Sequence, residues 1–514
     1  MTRQTRRSFI GSSTAWLGIG GLAGLSSFSR LNADEDKPLN VTLSPEIAPL
    51  VRLIETTPRE KSVAMMIGEL RKGTTKNEFV AAMFLAAARM KVSPHHVYMI
   101  NSALRLSNDM ERETQLLPLF WALDTLQYDR KDGDRYPPVK IQTLSQTQAT
   151  SELRDAMDQF STEKAETAIV SLARSSSPKA AMSELWQYAG RDDGFIGHRA
   201  IALVNSWRVL ETIGWQHAEP MFQFVVRELN ADQNQHNQHS ANWERAHGRL
   251  KEVPIGWDSK ESSPKSTLEL FEVMRTESDA AACEAGFSML SSDKVKAGSI
   301  WDAIFLLGAD FMIRYPTSED IGTTPLHTNT STNSLRFAFD ECRDPNIRMY
   351  TLLAAIAWAT KFYSAERTTQ DGKPWLRKMK ITDLPSQEVN AQPEELIREI
   401  FSMQPKRRHD ESQREILVGR EGIREDQDKV AELAFSYASK YSDHRQYKEA
   451  ASLFTSMKST QDVHDVKFPV AIFENHNLVH PQWRPHLIAA SSHYMHGTQM
   501  QDNPAVRRAK ESLG

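Results

Sequence analysis

Apolar positions recur at three- and four-residue spacing along nearly the whole chain. The segments 78–90 (EFVAAMFLAAARM), 164–175 (KAETAIVSLARS), 349–363 (MYTLLAAIAWATKFY) and 428–441 (DKVAELAFSYASKY) are rich in Ala, Leu and Met and keep that period. Alternating β-branched runs bounded by turn pairs are nearly absent. The pattern predicts an all-α fold. Loop composition interrupts it at 127–140, across 230–248 and on to Pro264, and at 368–375. These breaks divide the chain into an N-terminal helical region (34–250), a linker (251–265), a C-terminal helical region (266–500) and a tail (501–514). The charged run 405–429 reads as a solvated helix or loop, and the tract holding His236 and His239 as a polar surface loop.

Within the helical pattern one unit recurs. The dipeptide Asn-Ser occurs three times, in HHVYMINSALR (95–105), HRAIALVNSWR (198–208) and HTNTSTNSLR (327–336). Each instance follows a histidine by five to seven residues and precedes an arginine by three or four. A break and an apolar helix come next, at 111–123, 217–229 and 343–358, with Asp344 and Pro345 placed as N-cap and first residue. A fourth copy, 464–497, opens with His464 and breaks at Pro481 but lacks Asn-Ser. The chain thus reads as an array of helical hairpins, as pseudo-repeats, each with a histidine near the start of its first helix.

A helical turn takes about 3.6 residues, so a histidine and a polar residue seven positions later share one face. His198 with Asn205, His327 with Ser334 and His95 with Ser102 form such stripes. Burying them is costly unless the groups bond one another, water or a ligand. If the hairpins pack around one axis, the histidines converge on a histidine-lined interior. On this reading His198, His327, Arg208 and Arg336 are the candidate catalytic residues. The arginines are suited to an anionic or oxygen-rich small molecule. His95, His96, Asn205, Asn333 and His464 are candidate cofactor contacts, and His198, His327 and His464 candidate metal ligands. The group held would be a metal ion or an organic cofactor. In the competing reading the same residues cap helices and tie hairpins together in a non-catalytic repeat scaffold of the cell envelope.

Six of the 16 histidines lie between 464 and 496, but Pro481 and Pro485 interrupt the helix there and no H-E-x-x-H occurs. Paired Glu-x-x-His motifs of the di-iron bundle type, Walker loops and G-x-S-x-G elbows are missing. The only cysteines are Cys283 and Cys342, which allow one disulfide and exclude cysteine-based metal clusters.

The N-terminus changes the picture of where this chemistry takes place. Arg6-Arg7 stands just before a weakly apolar, glycine-rich run from Phe9 to about Leu25. Residues 1–33 read as a twin-arginine export signal, which implies a periplasmic or envelope protein held to the membrane only if the signal is left uncleaved. The signal holds four arginines and no acid, so the remainder carries 58 basic and 66 acidic side chains, a net charge of −8. That balance argues against nucleic acid as a partner.

The His-opened helices at His95-His96, His198, His327 and His464, each followed by an apolar helix, resemble the questin-oxidase-like family. The resemblance implies an all-α, histidine-rich oxidoreductase that oxygenates aromatic polyketides. The whole chain is also similar to uncharacterised bacterial twin-arginine-exported helical proteins, which imply no particular reaction. Replacing Arg6 and Arg7 together by Lys is expected to leave unprocessed precursor in the cytoplasm; fractionation of the native host against the unmodified chain checks this.

Overall fold

The computed structural model describes residues 39–40, 43–130, 135–137, 139–191, 196–231, 246–315, 323–365, 376–404, 407–409, 415–417 and 423–513. The export-signal segment 1–33, His236 and His239, and the break at 368–375 fall outside these residues.

Four helices begin near the recurrent histidines: His95–Asp109, His198–Ile213, Thr323–Glu341 and His464–Leu478. They are called here the His95, His198, His327 and His464 helices. Each packs against the next in chain order, and the His464 helix packs back on the His95 helix, so the four close a ring. Each is followed by the second arm of its hairpin, in order Leu117–Tyr128, Glu219–Asn230, Pro345–Ala365 and Arg484–Ser491, which packs on its own first helix. All four second arms carry proline in their first turn, where the missing N–H costs nothing. Asp344 accepts from the Asn346 N–H at 2.8 Å at the start of the third, as an N-terminal cap does. The fold is therefore all-α, an array of helical hairpins around a histidine-lined interior.

Further helices wrap the ring. The alanine-rich Lys76–Arg89 helix is buried from Phe79 to Ala88 and opens with a Thr75/Glu78 capping box. The 501–514 stretch, read as a tail, instead contains a helix, Pro504–Leu513. Its stripe of Ala505, Val506 and Ala509 docks it on Arg59–Arg71 and Leu117–Tyr128. Part of the charged run 405–429 is neither helix nor loop. Arg407–His409 and Glu415–Leu417 pair antiparallel before the helix that starts at Ile423. Cys283 and Cys342 are both buried and are not joined to each other. Among the described residues no helix is long and apolar enough to cross a membrane.

The His327 helix shows how a polar sequence enters the core. Every residue from His327 to Ser334 is buried. The hydroxyls of Thr328, Thr330, Thr332 and Ser334 each donate to the carbonyl four residues back, at 2.6–3.2 Å. Asn329 Nδ2 donates to the Gly308 carbonyl of the neighbouring Ala297–Arg314 helix at 3.1 Å. Side chains that return to their own backbone need no outside partner, so these hydroxyls are buried without being orphaned.

Close approach between inner helices is set at Gly197, the residue before His198. It has φ +78°, and a Cβ there would stand 2.2 Å from Ser331 Cβ on the His327 helix. Gly197→Ala combines a left-handed backbone penalty with overpacking, each of about 1–3 kcal/mol. It is expected to lower unfolding stability by several kcal/mol, read from denaturant midpoints, whereas Gly248→Ala, at an open position, has little effect.

Candidate metal centre

The four recurrent histidines meet. Their rings form a closed circuit with centroid separations of 4.7 Å (His95–His198), 4.7 Å (His198–His327), 4.9 Å (His327–His464) and 5.2 Å (His464–His95). The diagonal His95–His327 measures 6.1 Å. Nε2 of His198 lies 2.8 Å from His95 Nε2 and 2.9 Å from His327 Nε2. His95, His327 and His464 each offer a nitrogen within 4.8 Å of the others. His95, His198 and His464 are the first residues of their helices and His327 the fifth of its own, so four helix starts converge on one point.

Hydrogen bonding alone does not account for this set. An imidazole nitrogen carries either one proton or one lone pair. His198 Nε2 therefore cannot donate to one neighbour and accept from the other. At His464 the tautomer is fixed from behind: Nδ1 lies 2.6 Å from Asp462 Oδ1, so Nδ1 carries the proton and Nε2 the lone pair. That Nε2 is buried and has no hydrogen-bond partner among the described residues. A carboxylate holding the far nitrogen of a histidine is the usual outer support of a metal ligand. The spacings fit a shared cation as well. Ligands at right angles with bonds of about 2.05 Å stand about 2.9 Å apart. Burial holds two of the rings, His95 and His198, in the neutral form. Burial pushes His95 well below the usual imidazole range, with repulsion from Lys467 and the other three rings added. Burial, then Lys467 and His464, push His198 down to about 3.

One turn further along, the positions three residues after each histidine are Tyr98, Ile201, Thr330 and Lys467. The Tyr98 ring lies 5.5 Å from that of His95 and 5.7 Å from that of His198. Its hydroxyl donates to the buried Glu228 carboxylate. Burial pushes Glu228 up to about 7 against the opposing pull of Tyr98 and Arg199, and pushes the Tyr98 phenol well above its usual range. Lys467 Nζ sits 5.6 Å from the Tyr98 ring centre. Burial pulls its ammonium down to about 7, opposed by Asp462.

A layer of amides follows. Asn101 Nδ2 donates to Asn205 Oδ1 at 3.0 Å, and Asn333 Nδ2 to Asn475 Oδ1 at 2.8 Å. Arg208 donates to Asn333 Oδ1 at 3.2 Å and pairs with Glu474 at 3.0 Å; Arg105 holds the other Glu474 oxygen at 3.0 Å. Histidines at the helix starts and asparagines two to three turns on make the four inner helices parallel. Their positive dipole ends share the histidine face. Between the layers lies a cavity of about 20 Å³, lined by Lys467, Arg208, Asn101, Asn205, Asn333 and their neighbours.

The structure thus brings His95, His198, His327 and His464 together, with Asn205, Asn333 and Arg208 in the layer behind them. His96 points elsewhere, its Nε2 3.1 Å from Asp129 Oδ2. Arg336 pairs with Asp340 at 3.0 Å and covers Trp301 and Phe339, with no contact to the four rings. The C-terminal histidines disperse. His476 pairs with His444 at 2.7 Å, His480 caps the turn at Gln482, and His496 stands 3.5 Å from Asp465. Sequence reasoning missed Lys467, Tyr98, Glu228 and Asp462. The signal for the first two was present, since each lies one turn after a site histidine and Lys467 interrupts an apolar run.

Fold and site together define a ring of parallel helices closed on a four-imidazole centre. No protein-family model, no curated protein and no solved structure matches the chain.

The buried neutral rings set a pH dependence. An unfolded histidine takes up its proton near 6.5, while His198 does so only near 3 when folded, so the unfolded chain binds more protons between these values. Stability is present in full above about 6.5 and is lost as pH falls, by about 1.4 kcal/mol per pH unit per such ring. His476, pushed down to about 3, and His486, to about 4, act in the same direction. Chelator-treated protein is expected to lose stability steeply between pH 6.5 and 4, and His198→Gln to shallow that slope, in denaturant melts across pH.

Proposed function

We propose that the protein is an exported metal-dependent oxidoreductase whose centre is a first-row transition ion held by His95, His198, His327 and His464. The observation that carries this reading is the meeting of four imidazoles, with His464 Nε2 unpartnered and its Nδ1 fixed by Asp462. All-nitrogen donors suit copper, iron, nickel or zinc. A roughly square circuit of rings favours the tetragonal preference of copper(II) or nickel(II), and a redox role selects copper between them. Such an ion supplies one-electron exchange or activation of a bound oxygen species. The protein contributes imidazole ligands, a tautomer fixed by Asp462, and a protonated Tyr98 and adjacent Lys467 next to the rings.

The resemblance to questin-oxidase-like proteins suggests an aromatic polyketide as substrate. The interior behind the centre has room for about one water-sized particle, so a molecule of that size would have to approach from the face of the helix starts. Export by the twin-arginine route, which carries folded proteins, accords with a centre loaded before translocation.

Protein purified from its native host is expected to contain one metal ion per chain by elemental analysis, with a paramagnetic signal if copper(II). His327→Ala should abolish binding, and Asp462→Asn should weaken it about 10–100-fold, the usual cost of losing an outer support. Metal-free native protein whose His198→Ala and His327→Ala variants differ only in stability would favour the scaffold reading.

A further inference from the structure

Behind the histidine centre, the small cavity in the ring is lined by a buried cation, Lys467, that makes no hydrogen bond or ion pair among the described residues. Lys467 is 3% exposed, lines the cavity, and its Nζ has no hydrogen-bond partner among the described residues. The second cation on the lining is Arg208, and no carboxylate lines it. The acids that come nearest are committed elsewhere. Asp462 accepts from His464 Nδ1 and from the His464 backbone N–H, and Glu474 holds Arg105 and Arg208. The rest of the polar lining is neutral: the amides of Asn101, Asn205 and Asn333, and hydroxyls including those of Thr330 and Ser334.

We propose that this cavity is a binding site for one monatomic anion, a chloride or bromide ion held by Lys467 Nζ and faced by Arg208 and the asparagine layer. A buried ammonium beside a guanidinium is costly unless a negative charge compensates it. A water molecule would satisfy the Nζ donors but leave the charge. A halide does both. The volume, about 20 Å³, admits one particle of roughly water size and rejects phosphate, sulfate or a carboxylate-bearing metabolite. The amides can turn N–H groups inward. Bound there, the anion would offset the Lys467 charge that repels cations from His95 and His198. The site needs no metal, so its test is independent of the centre's.

Crystals of the full chain grown in sodium bromide, with data collected at the bromine edge, decide the matter. One anomalous peak within hydrogen-bonding reach of Lys467 Nζ is expected, and it should be absent from Lys467→Met crystals. In solution, bromide or chloride should raise the melting temperature saturably against gluconate at constant ionic strength, and the variant should lose that rise. A cavity that holds only water in bromide-grown wild-type crystals overturns the proposal. So does a bromide that remains in place in Lys467→Met. Should the variant fail to fold, the wild-type anomalous map is sufficient, since its two outcomes support or refute the site by themselves. Loss of the bromide with metal retained, or the converse, separates failure of this site from failure of the metal reading.

Discussion

Four imidazoles at the starts of four parallel helices are the constraint on which the rest of the structure depends. Bringing them together is unfavourable in every ordinary respect. The rings leave water, their lone pairs face one another, and the positive ends of four helix dipoles share the same face. Protonation would make matters worse, and burial holds at least His95 and His198 in the neutral form. The geometry survives because it is held from behind. Gly197 lets the His198 and His327 helices touch, Asp462 fixes the His464 ring, and the Asn101–Asn205 and Asn333–Asn475 pairs lock the ring of helices two to three turns further on. A cation at the centre would turn the least favourable feature of the fold into its most favourable one.

Polarity in this core is layered. Imidazoles come first, then Tyr98 and Lys467, then amides tied to an Arg208–Glu474–Arg105 network. The layers recur because each inner helix places its polar residues about one turn apart on the same face. Hydroxyls of the His327 helix return to their own carbonyls, while some layer atoms, Asn101 Oδ1 and Asn475 Nδ2 among them, have no hydrogen-bond partner among the described residues; two such exceptions stand at the candidate sites, His464 Nε2 and Lys467 Nζ. One exception is a lone pair and the other a cation. The two candidate ligands, a metal ion and a halide, are of opposite sign for that reason, and each would ease the repulsion felt by the other's site.

The recurrence of His and Asn-Ser was legible because helical geometry converts spacing into a shared face. It named His95, His198, His327 and His464 and two of the amides behind them, Asn205 and Asn333. Spacing could not choose between His95 and His96, since adjacent residues on a helix point about 100° apart and only packing selects the inward one. Nor could it separate Arg208 from Arg336, which hold matching places in their copies. The first reaches the amide layer, while the second finds Asp340 and an aromatic surface. The fourth copy looked degenerate for want of Asn-Ser. Asn475, one turn later than expected, bonds Asn333 instead.

By itself the sequence determined the helical period, the four hairpins and the residue types on their inner faces, because these follow from local spacing, proline placement and capping. Tertiary structure alone decided that the four first helices run parallel and close a ring, that His95, His327 and His464 each offer a nitrogen within 4.8 Å of the others, and that His198 Nε2 stands beside two of them. It also decided that Lys467 and Tyr98 lie directly behind them and that Glu228 and Asp462 serve as their supports. Each of those facts joins residues more than a hundred positions apart or turns on which way a ring faces. No local rule carries that information; it comes from how whole helices fit against one another.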